Sequence, residues 1–472
     1  MDKRVIKTLH HYKMKNTDRR NFLKYTVIAA SGIIVVPTII PSCVRGGNGK
    51  VAPSDKVRVA LVGCGNQGVG DIMEIVKDER VQVVAICDVN KRSAGYWSGS
   101  IGGRDLVEAR LKKFYTEKNN KPFSGLRLEE DFREIIGMDD VDAIEFAIPD
   151  HWHSIPVLMA AKAGKAIYCQ KPLALTIPEG RAMSNAVKKY KVVFQTGSQQ
   201  RSDENFRIVC ELVRNGKLGN VHTVSCGLPS GVPDYGRNKD LTNPMPLPEG
   251  FNYNLWLGPA PEAPWCPART GVNFRWILDY SGGQLTDWGG HHPDIAQWGM
   301  GTEGTGPVKI KSSNVEWAKH PLWNTATKYH IEAEFQEGFK MILSTNAGHG
   351  GVLFKGDDGR WAQADRGSHK LSDNMKDVKL NDNDIHLYKS DNHFRNFIDC
   401  VLSKAEPIAP AEAAHRSITI AHLGNISMLL NQDIEWDPKT ERIVNNTVAN
   451  ALLDRPMRAP WDSIYRDLVA EL

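Results

Sequence analysis

The chain has 472 residues, 41% of them hydrophobic and 24% charged. This is an ordinary globular composition that excludes a disordered chain or a membrane channel, and the length exceeds what one core holds. The formal charge is +4, but residues 1–43 carry eight Lys/Arg against Asp2 and Asp18, leaving 51 basic and 53 acidic residues in the rest. The basic surplus belongs to the N-terminus, which removes the electrostatic case for a nucleic-acid partner.

At that N-terminus, Arg19-Arg20-Asn21-Phe22-Leu23-Lys24 precedes an uncharged apolar run from Tyr25 to Ile40. The pattern resembles a twin-arginine export signal. Ile40-Pro41-Ser42-Cys43 reads as a lipoprotein cleavage box with an unusual proline. Residues 1–43 are therefore expected to be a leader, either cleaved, lipidated at Cys43, or kept as an anchor helix, against which Pro37 counts. Residues 44–55 form a Gly-rich tether. All three outcomes place the folded body outside the cytoplasm, in the periplasm, with membrane attachment through Cys43 only. The other seven cysteines form no C-x-x-C pair and are odd in number, so they do not make a disulfide framework. Such thiols behind an export signal suit a protein that folds in the cytoplasm around a cofactor before export.

Residues 56–175 read as a Rossmann domain. A strand over Val57–Val62 runs through Gly63-Cys64-Gly65-Asn66-Gln67-Gly68 into a helix. Glycines at this spacing permit a tight turn, close approach to a pyrophosphate and tight helix packing. A second strand, Val81–Cys87, ends at Asp88, twenty residues after Gly68. A carboxylate there accepts from an adenosine ribose and repels a 2′-phosphate, so NAD is favoured over NADP, with Lys91 and Arg92 acting against that preference. The next strands, Ala143–Ile148 and Ala166–Cys169, deliver Pro149-Asp150-His151-Trp152-His153 and Gln170-Lys171-Pro172 to the ligand-facing rim. The proline holds Lys171 extended, a cation at the end of a buried strand. For His151 and His153 the plainer role is to cap a helix or bond backbone.

Residues 176–472 change character, with longer alternating segments and Gly/Pro-rich loops around residues 228–270, which are expected to be ordered and functional. Trp256, Trp265, Trp276, Tyr235 and Tyr253 there either face a sugar ring or pack the core. In "GGQLTDWGGHHPDIAQWGMG", Asp287 and His291 are four apart, on one face of a continuous helix, and suit proton transfer. His291, His292 and Asp294 have metal-ligand chemistry, but a completing ligand is not evident nearby, so no metal is expected.

Together, "VALVGCGNQG", "AIPDHWHSIPVLMAAKAGKAIYCQKPLA" and "GGQLTDWGGHHPDIAQWGMG" resemble the glucose–fructose oxidoreductase / inositol dehydrogenase / rhizopine catabolism family from about Val57 to the C-terminus. The resemblance implies an α/β fold: an N-terminal Rossmann domain, and a C-terminal α/β domain with a large, mostly antiparallel open sheet that covers the cofactor and builds homo-oligomers. Its closing helices could pack back on the Rossmann domain. It implies Lys171, Asp287 and His291 as catalytic residues. Cofactor contacts are expected from Gly63, Gly65, Asn66, Gln67, Gly68, Asp88, Pro149, His153, Gln170 and Lys171, and substrate contacts from Arg201 and His292. Gln170 departs from the family's usual glutamate, which takes an anionic partner from beside the lysine.

The implied activity is oxidation of a sugar or glycoside hydroxyl with tightly bound NAD, giving a 3-keto-sugar. One alternative is an NAD-dependent glycosidase working by transient oxidation and elimination. Another is a non-catalytic sugar-binding lipoprotein, against which the joint presence of Lys171, Asp287 and His291 argues.

Overall fold

The computed structural model describes residues 55–472. The leader and Cys43, and all of the tether but Asp55, lie outside the described residues.

The first sheet is parallel throughout. Its strands are β1 (Val57–Val62), β2 (Val81–Cys87), β3 (Arg127–Glu129), β4 (Ala143–Phe146), β5 (Ala166–Cys169) and β6 (Phe194–Thr196), in the order β3-β2-β1-β4-β5-β6. The order reverses between β1 and β4, which opens a crevice at their carboxyl ends. Helices α1 (Asn66–Ile75), α2 (Arg104–Asn119), α3 (Phe132–Ile136), α4 (Ser154–Lys162) and α5 (Ile177–Tyr190) make the connections. β4 and β5 are buried at every position, as expected of strands covered on both faces. α5 starts sharply because Thr176 and Glu179 form a reciprocal capping box. The helix leads into β6, which carries the parallel sheet past residue 175, the boundary expected from the sequence. A short Phe-Gln-Thr strand within "VVFQTGSQQ" carries too little periodicity to reveal its pairing with β5.

The second sheet is built from β7 (Thr223–Gly227), β8 (Lys309–Trp317), β9 (Ala326–Glu334), β10 (Lys340–Ser344), β11 (Val352–Lys355), β12 (Trp361–Asp365), β13 (Ser368–Leu371), β14 (Ile434–Asp437) and β15 (Arg442–Ile443). Their order is β13-β12-β11-β7-β10-β9-β8-β14-β15, antiparallel except for the β7–β10 pair. β9 alternates between buried and more accessible positions, the signature of a sheet with one covered face. The helices of this half are α6 (Glu204–Arg214), α7 (Tyr253–Leu257), α8 (Gly283–Gly289), α9 (His292–Met300), α10 (His393–Ser403) and α11 (Ala411–Leu430), followed by α12 (Thr447–Ala451) and α13 (Trp461–Ala470); α6, α8, α9 and α11 pack on the sheet.

Two of these helices reach the first domain. α10 inserts Phe397, Ile398 and Val401 into the cluster formed by Val57, Val59, Ile72 and Tyr168 of the first domain. α11 is buried along most of its length and packs against both α5 and β8.

Candidate active site

The glycine loop is shaped by contacts that only glycine allows. A Cβ on Gly63, whose φ is +101°, would sit 2.3 Å from the Ala147 carbonyl oxygen, and one on Gly68 would sit 2.0 Å from the Gly63 carbonyl oxygen. Both clashes are with backbone, so neither can relax cheaply. Gly65 caps α1 without any side-chain hydrogen bond. The first N–H groups of that helix are left to whatever enters the crevice, which suits a pyrophosphate.

That crevice is a cavity partly open to solvent, and it runs from the glycine loop to Lys171. Gly63, Gly65, Asn66, Gln67, Asp88, Pro149, Gln170 and Lys171 line it, as do Asp150, Trp152, Trp256 and Arg275. Asp88 accepts from Cys64 N at 2.6 Å and Asn90 N at 2.8 Å, and its remaining lone pairs can take ribose hydroxyls. Burial pushes this carboxyl up to about 6. Lys91 and Arg92 are exposed and stay off the cavity wall. An uncapped helix start at one end and a carboxylate at the end of β2 together fit a dinucleotide.

A strap over residues 93–103 covers the mouth. It is closed by the Ser93–Gly102 bridge, and Trp97 N donates to Asn66 Oδ1 at 2.6 Å. The Trp97 ring stacks on Tyr235 with centroids 4.1 Å apart, while Val272 N donates to Gly95 O at 2.9 Å. The strap thereby joins the Rossmann domain to the loops of residues 228–280. Of the five aromatic residues singled out there, Trp256 lines the cavity; Trp276 and Tyr253 are core, and Tyr235 stacks on the strap.

At the opposite end, Lys171 Nζ donates to Asp287 Oδ1 at 2.6 Å and to the Asp287 carbonyl at 3.2 Å. Arg275 Nε stands 3.6 Å from the same carboxylate oxygen. Burial pushes the Asp287 carboxyl up, but the Lys171 and Arg275 cations outweigh it and hold the group below the usual carboxylate range. Gly290 gives the lysine its path, since a Cβ there would lie 3.0 Å from Lys171 Cβ.

The expected pairing of Asp287 with His291 does not form. α8 ends at Gly289 and α9 begins at His292, so the four-residue spacing crosses a break and the shared helical face is lost. Asp287 orients the lysine instead. His291 is 6% exposed and, like Asp287, lies off the cavity wall, and its Nδ1 has no hydrogen-bond partner among the described residues. Burial first, then the nearby Lys171 and Arg366 cations, hold its imidazole well below the ordinary value. The ring is therefore neutral.

Three other expected contacts are redirected inward. His153 is fully buried, with Nδ1 2.7 Å from Pro172 O and Nε2 2.9 Å from Ile148 O. Carbonyls only accept, so both nitrogens carry protons. Burial alone would lower this group, but Cys169, Asp150 and the Ile148 carbonyl raise it to about 10. It staples the Pro149 loop to the Lys171 loop and does not line the cavity. Arg201 is 2% exposed and bound to Asp294 and Glu303, which removes it from substrate and occupies the carboxylate once considered for a metal. His292 gives Nδ1 to the Gly227 carbonyl at 2.9 Å and lies off the cavity wall.

The sequence reading missed Arg275, which no motif spacing marks, and Trp152, whose Nε1 donates to the Leu255 and Trp256 carbonyls. It also passed over Glu145, although a carboxylate inside the apolar strand "AIEF" was a visible signal.

Comparison with known proteins bears on the family, the fold and the cofactor. Residues 57–198 match the model described as "Oxidoreductase family, NAD-binding Rossmann fold", and residues 204–463 match "Oxidoreductase family, C-terminal alpha/beta domain". A glycosyl hydrolase family 109 protein of Shewanella sp. (strain ANA-3) is 29% identical over 177 residues, 35% of this chain and 36% of that protein. The alpha-N-acetylgalactosaminidase of Shewanella oneidensis is 24% identical over 220 residues, 44% of this chain and 45% of that protein. The chain thus spans less than half the length of these curated relatives. The fold is like that of the WlbA dehydrogenase from Bordetella pertussis, crystallised with NADH and UDP-GlcNAcA, with a TM-score of 0.55 at 16% identity, covering 81% of this chain and 99% of that one. The two family models cover almost everything between residues 57 and 463, and the chain belongs to the glucose–fructose oxidoreductase / inositol dehydrogenase / rhizopine catabolism family of NAD-binding oxidoreductases.

Proposed function

We propose that the protein oxidises a secondary hydroxyl of a sugar or glycoside, giving a 3-keto-sugar, and retains its NAD through the cycle. The observation that carries this reading is the Lys171–Asp287 contact at 2.6 Å, beside a buried neutral His291, at the far end of a cavity that begins at the glycine loop. Bound NAD supplies the hydride acceptor. His291 takes the hydroxyl proton as general base, and Lys171, aimed by Asp287, holds the substrate oxygen and stabilises the charge that develops on it. Arg275 adds a second cation at the same carboxylate. Trp256 gives a sugar ring an apolar wall.

A second reading is supported by the relatives named as a family 109 glycosyl hydrolase and an alpha-N-acetylgalactosaminidase. In it, the same oxidation acidifies a neighbouring C–H, the aglycone leaves by elimination, water adds to the double bond so formed, and return of the hydride to the keto carbon leaves no net redox change. Either reaction takes place in the periplasm: residues 1–43 direct twin-arginine export of the folded holoprotein, with Cys43 as the membrane attachment when lipidated. The seven buried free cysteines support folding before export. The working form is a homo-oligomer.

Denaturing the purified protein before and after incubation with a glycoside panel, and measuring the released small molecules, tests the reading. NAD converted to NADH with a matched keto-sugar is the expected result. Oxidised NAD with accumulating free sugar would transfer the assignment to the glycosidase, and no turnover on any glycoside would remove both.

A further inference from the structure

Behind the Lys171 end of the cavity lies a group of buried polar side chains that the reaction above does not use. Asp71, on the glycine-loop helix, is 2% exposed, and Glu145, in the central strand β4, is fully buried. Asp71 accepts from Gln67 Nε2 at 2.6 Å through one oxygen and from Gln170 Nε2 through the other. Neither Glu145 oxygen has a hydrogen-bond partner among the described residues. Two neighbouring carboxyls closed off from water do not both ionise. Glu145 keeps its proton, being raised well above its ordinary value by burial and then by the Asp71 charge. The pair therefore holds one negative charge.

That charge touches the cavity through Gln170. A carboxylate only accepts, so Asp71 fixes the NH₂ of the Gln170 amide on its own side. The amide oxygen is left toward Lys171, whose backbone N–H donates to it at 3.3 Å. Gly197 makes room for this oxygen, since a Cβ there would lie 2.5 Å from it. Gln170 itself lines the cavity, between the glycine loop and Lys171.

We propose that the buried Asp71–Glu145 pair is a positioning device of the NAD site. Its single negative charge sets the Gln170 amide as a fixed acceptor for a hydroxyl or amide donor of the bound dinucleotide, and it favours the cationic, oxidised nicotinamide over the neutral, reduced one. The inference concerns the cofactor end of the site and stands whichever sugar hydroxyl is oxidised.

The potential of bound NAD relative to free NAD reports the ratio of the protein's affinities for the two redox forms, and reductive titration of the holoprotein measures it. Asp71→Asn keeps the shape and removes the charge. The expected result is a rise of about 30 mV, which is a tenfold loss of preference for the oxidised form. A merely structural role would weaken both forms alike and leave the potential where it was, which would overturn the proposal. The parent protein supplies a second measurement that needs no variant. Burial places Asp71 at about 6, against the hydrogen bonds that lower it. The titratable groups facing it are Glu145 and Tyr168, both held neutral by burial, while Gln67, Gln170 and Gln199 do not titrate. The potential relative to free NAD is therefore expected to rise as pH is lowered from about 8 to about 5. Asp88 titrates in the same range, and because Asp71→Asn keeps Asp88, the part of the pH dependence that this variant abolishes is the part that Asp71 supplies. A flat difference across that range would overturn the proposal as well.

Discussion

In the proposed reaction Lys171 and His291 divide the work at the reacting oxygen, and their environments are opposite. Lys171 keeps an anionic partner in Asp287, while His291 is buried among cations and remains neutral. His291→Asn is expected to lower kcat by about 10²–10⁴-fold, the usual yield of a general base. Lys171→Met should lower it by about 10²–10³-fold, as for loss of one preorganised stabiliser of developing charge. Steady-state kinetics on the substrate identified by product analysis check both. Because the His291 imidazole titrates well below 6.5, kcat/KM for the sugar at saturating NAD should show no limb near that value. A limb there would mean an imidazole open to water, unlike the buried ring seen in the fold. Asp287 was legible as a partner for a cation or an imidazole, but the choice between them was not. It depends on the helix break at Gly289 and Gly290, which brings the lysine alongside.

At the scale of elements, His153 shows how two strand-end loops are held in register. Its folded-state value of about 10 lies above the ordinary 6.5. The stabilisation it contributes is therefore fully present below about pH 6.5 and is lost as pH rises through about 10. Tm is expected to fall across that window, and His153→Gln should remove this component of the fall. His292, His393 and His422 are pushed down to about 4 by burial. Their stabilisation is present above 6.5 and is lost as pH falls toward 4, giving the acid limb of the same melting curve. α10 offers a separate check. Phe397 is fully buried against β1 and α1, so Phe397→Ala should cost about 3–5 kcal/mol in chemical denaturation. It should also loosen the glycine-loop helix on which Asp71 sits.

For the whole molecule, the cofactor is enclosed by parts that are distant in sequence. The strap of residues 93–103 meets the loops near Tyr235 and Val272 over the crevice of the first sheet. An aromatic stack contributes about 0.5–1.5 kcal/mol beyond its buried area. Trp97→Ala is therefore expected to raise the NAD release rate by up to about tenfold, with little change in the rate of the chemical step. Displacement of bound NADH by excess NAD, followed by fluorescence, measures this directly. An unchanged release rate would show that the strap is a cover without a retaining role.

What the chain determined by itself was whatever rests on local pattern. The glycine spacing, the strand runs of Val57–Val62 and Val81–Cys87, and the placing of Asp88 and Lys171 at strand ends follow from periodicity and turn chemistry, which act over a few residues. The three quoted motifs also sufficed to assign the family. Tertiary structure decided the rest, because partner choice for a polar side chain is set by which group reaches it first inside a dry core. Arg201 and Asp294 found each other and left the cavity, His153 met two carbonyls and became a buried cation, and Gln170 turned its amide to Asp71. Apart from the His153–Ile148 contact, which spans five residues, these contacts span from about twenty to about a hundred residues, and no spacing rule encodes them. They exist because two sheets and α10 bring those positions within hydrogen-bond distance, away from water that would otherwise have satisfied each group alone.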